Sequence, residues 1–162
     1  MENEILFCEY KNTIYIKARG HITAPICFGL RQRVFNRLEA APELDAIYSD
    51  LSDCHYMDST FMGLLIGFNK KFNNLYHKRL NIIDPSVESQ NHLAELGLDK
   101  ILNFIYDKID FPEKMEIISQ KEKITPEFIL KAHEELIEVS EDNRERFKLV
   151  KEILSKQLDN DK

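Results

Sequence analysis

The sequence has little of what would tie a chain to a membrane, a metal ion or an oxidising compartment. Three cysteines among 162 residues are too few and too scattered for a disulfide framework or a zinc site. The longest apolar run, residues 61–68, is far shorter than the roughly 20 residues that a transmembrane helix needs. The first four residues, Met-Glu-Asn-Glu, are acidic where a signal peptide would be basic. We therefore expect a cytoplasmic protein that neither holds a metal nor enters a membrane.

An excess of positive charge is also missing. The chain has 22 Lys and Arg against 28 Asp and Glu, a net charge of −6. Because nucleic acids are held by clustered cations, direct binding of a nucleic acid is not expected. The sequence also lacks a glycine-rich phosphate loop and a Gly-x-Ser-x-Gly elbow, although His55 and Ser59 are near neighbours. We therefore predict that the protein is not an enzyme and uses no cofactor.

Glycine and charge are distributed unevenly along the chain. All five glycines come before residue 98, and only 27 of the first 112 residues are charged. In the last 50 residues the number of charged residues is 23. This contrast predicts a packed domain over residues 1–118 and a charged helical extension over residues 119–162.

Strand-like and helical patterns alternate along the predicted domain. Two β-branched runs flank Lys11-Asn12, which indicates a hairpin. There follow a helix (25–41), a strand (44–51), a helix (60–76), a strand (80–83), a helix that ends at Gly97, a strand (103–106) and a short helix that Asp110 would cap. Since strands joined by helices pair in parallel, we predict an α/β fold with a mixed, mostly parallel sheet of about five strands and helices packed on it.

The extension is predicted to be helical. Thr125-Pro126 is a typical helix start, and an apolar stripe with a 3.6-residue period follows it. Polar Ser140 and Asn143 interrupt the stripe, so one long helix and a helical hairpin that turns there both fit. Because a charged helix with one apolar stripe is not stable alone, it must cover the domain or pair with a partner, a second copy of the chain included.

The segment of residues 50–65, DLSDCHYMDSTFMGLL, joins the end of a buried strand to the start of a helix. In open α/β sheets, ligands and regulatory chemistry lie at this carboxyl edge. Ser59 is predicted at the N-cap or in the first turn of the helix, where free N–H groups and the helix dipole would stabilise a phosphate. The alternative is that Asp58, Ser59 and Thr60 serve only as helix caps.

Two glycines one turn apart, Gly63 and Gly67, lie inside the same predicted helix. Each costs on the order of 1 kcal/mol relative to alanine, so their presence indicates that another backbone comes close. That backbone belongs either to the first helix or the sheet, or to a partner helix that lies alongside.

Over residues 5–118, the chain resembles a STAS domain of the bacterial anti-sigma-factor-antagonist type. Three pieces carry the resemblance: residues 14–20 (IYIKARG), residues 50–65 and residues 95–102 (ELGLDKIL). The middle piece is the most specific, with Asp-Leu-Ser, then Met-Asp-Ser-Thr and a Gly-Leu helix start. It departs from the family pattern where Phe61-Met62 precede the glycine, and the turn after residue 20 lacks the family's acidic residue.

The resemblance implies a regulatory protein-binding module with a phosphorylation site at Ser59. In this family an anti-sigma factor that is itself a serine kinase phosphorylates the serine, and a PP2C-type phosphatase removes the phosphate. The unphosphorylated domain binds the anti-sigma factor and so frees the sigma factor for transcription. By position, the partner surface would include His21, Thr23, Met57, Asp58, Thr60, Phe61, Met62 and Gly63. The alternative is a STAS module that is never phosphorylated and binds a ligand or acts as a scaffold in a signalling assembly.

Overall fold

The computed structural model describes residues 2–160, so the first residue of the predicted domain and the last two of the predicted extension lie outside the described residues. Within this range there are seven strands and five α-helices. The strands are β1 (Glu4–Tyr10), β2 (Thr13–Ile22), β3 (Ala46–Asp50), β4 (Cys54–Met57), β5 (Asn81–Ile83), β6 (Asn103–Ile105) and β7 (Glu116–Ile117). The helices are α1 (Phe28–Leu38), α2 (Ser59–Tyr76), α3 (Val87–Glu95), α4 (Pro126–Ile137) and α5 (Glu141–Asn160), and short 3-10 turns lie at Ala24–Ile26 and Leu98–Lys100.

The strands form one mixed sheet in the order β6-β5-β3-β2-β1-β7, with β4 paired to the far end of β2. Neighbours among β2, β3, β5 and β6 are parallel, whereas β1 is antiparallel to both β2 and β7. Lys11 and Asn12 have φ values of 48° and 59°, so the hairpin is closed by a turn whose twist suits the strands. The predicted α/β fold with a mostly parallel sheet is confirmed.

Two short strands raise the number from about five to seven. β4 lies between the predicted strand 44–51 and the predicted helix 60–76, where no strand was predicted, and β7 lies where Asp110 was predicted to begin a short helix. That helix prediction is wrong. The outer edge of β1 would otherwise be unpaired, and β7 covers it through the pairs Leu6–Ile117 and Phe7–Glu116. Pairing a free strand edge therefore outweighs the local helical signal.

The apolar core lies between the sheet and helices α1 and α2. Ile14 and Ile16 of β2 and Phe61, Phe68 and Phe72 of α2 have no exposed surface. One continuous apolar cluster contains these side chains and extends into α4 and α5. Because the sheet part and the extension share this cluster, the predicted division at residue 118 stays a prediction.

The extension folds as a helical hairpin, which is one of the two structures that the sequence allowed. The chain turns after α4, and Ser140 Oγ accepts a hydrogen bond from Asn143 N at 3.1 Å at the start of α5. Asn143 is 1% exposed, and its Nδ2 donates to Leu96 O and to Leu136 O, each at 3.0 Å. The polar break in the stripe is therefore a buried amide that ties the hairpin to the end of α3.

Candidate functional site

The start of α2 is fixed by the carboxylate of Asp58. Its Oδ1 accepts from Phe61 N at 2.9 Å, which caps the helix, and its Oδ2 accepts from Ala24 N at 2.8 Å. Asp58 N donates to Ile22 O at 3.0 Å, so the loop after β2 is held beside the serine. Burial raises the pKa of Asp58, and the two backbone hydrogen bonds oppose that shift. Asp58 is therefore a capping residue that also joins two loops.

Ser59 faces a histidine that is 74 residues away in the sequence. Ser59 Oγ lies 2.7 Å from His133 Nε2, and His133 Nδ1 lies 2.8 Å from Ile129 O. Because a carbonyl oxygen only accepts, Nδ1 carries a proton, and in the neutral imidazole the Ser59 hydroxyl therefore donates to Nε2. His133 is 5% exposed, and its ring lies edge-on to Phe147 at a centroid distance of 5.1 Å. The sequence had given His133 no functional role, and no local pattern could have linked it to Ser59.

Gly63 is where α4 comes closest to α2. A Cβ built on Gly63 would lie 2.2 Å from Ala132 O and 2.7 Å from Ala132 C, so no larger residue fits without a backbone shift. At Gly67 the nearest atoms to such a Cβ are Phe35 Cζ at 3.5 Å and Glu135 Cγ at 3.6 Å, which are ordinary contacts. The predicted close approach of another backbone is therefore found at Gly63 but not at Gly67. The backbone belongs to α4 of the chain's own extension, and not to the first helix, the sheet or a partner helix.

The other predicted partner-surface residues divide into an open and a covered group. His21 is exposed and Thr23 is partly exposed. The buried group consists of Met57, Thr60, Phe61, Met62 and Gly63. The structure brings all of these residues to one end of the sheet, but the buried group has no surface for a partner in this conformation. Their role in binding stays a prediction.

An aromatic patch is exposed beside the buried group. It consists of His21, Tyr56 and His92, with Tyr56 41% exposed and its ring 5.7 Å from His21 and 5.4 Å from His92. Of these three residues, the sequence had singled out only His21 as a surface residue. The patch depends on the pairing of β4 with β2, which places Tyr56 opposite His21, and β4 itself was not predicted.

The cysteine in this segment is not a reactive thiol. Cys54 has no exposed surface, and its Sγ donates to Tyr56 O at 3.4 Å. Burial raises the pKa of Cys54 to about 11, so the thiolate is disfavoured at neutral pH. Among residues 2–160, no group of three or more His, Cys, Asp and Glu side chains could hold a metal ion. In the same range no helix is both long and apolar enough to cross a bilayer.

Comparisons with known proteins identify the fold. No family model and no curated protein matches the sequence. Several solved structures do match in three dimensions, two anti-sigma factor antagonists or proteins assigned as such among them. The unphosphorylated form of the anti-sigma factor antagonist SpoIIAA is 16% identical, with a TM-score of 0.56 over 62% of this chain and 87% of that chain. A Thermotoga maritima protein provisionally assigned as an anti-sigma factor antagonist is 18% identical, with a TM-score of 0.55 over 64% and 86% of the two chains. The chain therefore has the STAS fold of the anti-sigma factor antagonists.

Proposed function

We propose that this protein is a regulatory protein-binding module that acts as an anti-sigma factor antagonist by phosphorylation-controlled partner switching. The unphosphorylated form binds an anti-sigma factor that is also a serine kinase. Phosphorylation of Ser59 by that kinase releases the partner, and a PP2C-type phosphatase restores binding. The proposal places the protein in the bacterial cytoplasm, upstream of transcription and without direct contact to DNA.

The observation that carries the proposal is the position of Ser59. It is the first residue of α2, directly after the Asp58 cap and the end of β4, on a fold shared with anti-sigma factor antagonists. A phosphate on Ser59 would meet N–H groups of the first helical turn, so the helix would be retained. It would also add a charge of about −1.5 to −2 next to Asp58, which opposes docking of an apolar partner surface.

The partner surface in this proposal has two parts. His21 and Thr23 form the open part, and Asp58 lies beside them at the start of α2. The second part is the buried group of Met57, Thr60, Phe61, Met62 and Gly63. Within that group, Gly63 lies directly against the extension.

The test uses tagged full-length protein purified from its native host. Mass spectrometry is expected to find phosphate on Ser59, and the wild-type protein is expected to co-purify with a serine kinase. Ser59→Ala should retain this partner, and Ser59→Asp should lose it, because only the second variant carries the negative charge. Ser52→Ala, a partly exposed serine in the same segment, is the control that should change neither result. Equal binding by Ser59→Ala and Ser59→Asp would contradict the switch.

A second candidate is a scaffold or ligand-binding STAS module that is never phosphorylated. The observation in its favour is the aromatic patch, which is open to solvent while the Ser59 hydroxyl is bonded to His133. This candidate predicts that Tyr56→Ala abolishes the complex and that both Ser59 variants bind normally. The same pull-down therefore separates the two functions.

A further inference from the structure

Helix α4 lies along the face of α2 that carries Ser59. On that face Ser59, Gly63, Gly67 and Lys70 follow one another at helical spacing. Each meets a residue of α4: Ser59 meets His133, Gly63 meets Ala132, Gly67 meets Glu135, and Lys70 meets both Glu135 and Glu138. From Gly63 to Lys70 on α2, the contacted residues of α4 rise from Ala132 to Glu138. Because residue numbers increase in the same direction on both helices, α4 runs parallel to α2.

The covering of this face explains why the first half of α2 is buried on every side. Every residue from 60 to 69 is buried, although the sheet and α1 can cover only part of a helix. A helix that is apolar all round is normally enclosed by protein on all sides. Without α4, the part of α2 that includes Gly63 would be exposed as a shallow groove with no side chain at its floor.

We propose that α4 is a built-in plug, held in cis, which closes the groove beside Ser59, holds the partly exposed Ser59 hydroxyl in a hydrogen bond to His133, and must leave before any partner helix or kinase can engage this face. The identity of the partner rests on the proposed function. The masking of the Ser59 hydroxyl by α4 does not rest on it, because it follows from the contacts of Gly63 and Ser59 with α4.

The attachment of α4 is suited to release. Residues 119–125, which precede it, contain no helix or strand, so the hairpin can move without breaking a regular element. Within the described part of the chain, the buried Glu135 Oε2 has no hydrogen-bond partner and is compensated only by the Lys70 ammonium at 3.7 Å, so docking leaves this polar atom incompletely satisfied. Lys70 Nζ pairs with Glu138 Oε2 at 2.6 Å, but both side chains are well exposed, so this pair adds little to docking.

The groove also defines the partner that would replace α4. A helix that docks in the same place needs a small residue opposite Gly63, because even one Cβ on Gly63 would meet the Ala132 backbone. It also needs a carboxylate within reach of Lys70, as Glu138 provides in cis. The occupant to be expected is therefore an amphipathic helix of the partner with an acidic residue about two turns after its small residue.

The test compares two glycine-to-alanine variants in the full-length chain. Gly63→Ala forces the Ala132 backbone away, whereas Gly67→Ala, one turn later, makes only ordinary contacts. Both variants gain the same helix propensity in α2, so the difference between them is the clash with the α4 backbone. Each is combined with Ser59→Cys, and a maleimide reagent then reports access to position 59 by peptide mass spectrometry, separately from Cys8, Cys27 and Cys54.

We expect Gly63→Ala to raise the labelling rate at position 59 and the amide exchange of residues 126–160 by about tenfold or more, which corresponds to about 1.4 kcal/mol. Exchange in β2 and β3 should be unchanged, and Gly67→Ala should leave both readouts at the wild-type level. Unchanged exchange of residues 126–160 in Gly63→Ala would overturn the proposal. Faster exchange there without faster labelling would overturn it as well, because α4 would then not be the barrier.

A second variant covers the case in which Gly63→Ala unfolds the sheet part. Ala132→Leu adds bulk on α4 only and leaves α2 unaltered, and it should raise labelling and exchange in the same way. No change in either readout with Ala132→Leu would refute the plug. None of these readouts needs a partner, so the plug is tested independently of the proposed function. If the variants open the plug but Ser59 is never phosphorylated in the cell, only the proposed function is contradicted.

Discussion

The sheet part, residues 2–118, and the hairpin of α4 and α5 share one apolar cluster but differ in how the chain joins them to it. In the sheet part, large apolar side chains such as Phe61 and Phe68 have no exposed surface, and strand pairing connects the elements. The hairpin also buries apolar side chains, Phe128 among them, and the hydrogen bonds of His133 and Asn143 add direction to its attachment. Because residues 119–125, which lead to the hairpin, contain no helix or strand, we expect that a single substitution can release the hairpin and leave the sheet intact.

The largest expected effect comes from removing one phenylalanine from each region. Phe68 is fully buried in α2 and lies edge-on to Phe35 at 5.2 Å, whereas Phe128 of α4 is 3% exposed and lies edge-on to Phe28 at 5.4 Å. Each substitution by alanine should cost about 3–5 kcal/mol. Phe68→Ala should destabilise the whole molecule in urea unfolding. Phe128→Ala should lower protection from amide exchange in residues 126–160 only.

The exposed Leu149 of α5 provides the control for this pair, since it is 66% exposed and Leu149→Ala should change stability by less than about 0.5 kcal/mol. If Phe128→Ala reduced the protection of β2 as much as that of α4, the two regions would unfold together. The expectation that the hairpin can open while the sheet part stays folded would then be wrong.

The sequence predicted what depends on neighbours along the chain. The helix start at residues 58–60, the turn at Lys11-Asn12 and the end of α3 before Gly97 are decided within a few residues, and the structure has all three. The alternation of strands and helices is likewise a local pattern, and it was sufficient to predict the fold class. Prediction of β4 and β7 failed because a strand of two to four residues exists only through its pairing partner.

The covering of Ser59 could not be predicted from local patterns, because the two residues concerned are 74 positions apart. One signal was available and was used only to exclude a membrane. The apolar run of residues 61–68 covers two helical turns, which is more than an amphipathic helix on a sheet needs. With the glycines at 63 and 67, this run indicated that a second element covers α2, but it did not indicate that the element is α4.

A smaller effect is expected from the hydrogen bond between Ser59 and His133. In a double-mutant cycle of Ser59→Ala and His133→Ala, the coupling free energy should be about 1 kcal/mol, because the bond is only partly buried. The free energy of hairpin opening, measured by amide exchange of residues 126–160, is the quantity to compare. The same cycle with His92→Ala in place of His133→Ala should show no coupling, and additivity in both cycles would mean that this bond does not hold the hairpin.

The smallest effect concerns the charge of Glu135 on the hairpin side of the interface. Burial raises the pKa of Glu135 above its usual value of 4.5, and the nearby Lys70 of α2 opposes that shift. The charged groups around this carboxyl are Lys70 from α2, Arg31 from α1, and Lys131, Glu134 and Glu138 from α4. Since the pKa of Glu135 is higher when the hairpin is docked, its contribution favours docking at low pH and is lost as the pH rises through the raised pKa.

Glu135→Gln should therefore slow the exchange of residues 126–160 at pH 7, and Glu138→Gln should accelerate it, because Glu138 pairs with Lys70 at 2.6 Å. Each change should be less than about tenfold, since a partly exposed carboxylate contributes at most about 1 kcal/mol. The pH dependence of intrinsic amide exchange cancels when the exchange rate of each variant is divided by the wild-type rate at the same pH. Below the usual pKa of a glutamate the effect of Glu135→Gln should disappear, because the wild-type carboxyl is then neutral as well. An effect of Glu135→Gln that did not change between pH 4 and pH 7 would show that shape, and not charge, decides how this side chain holds α4.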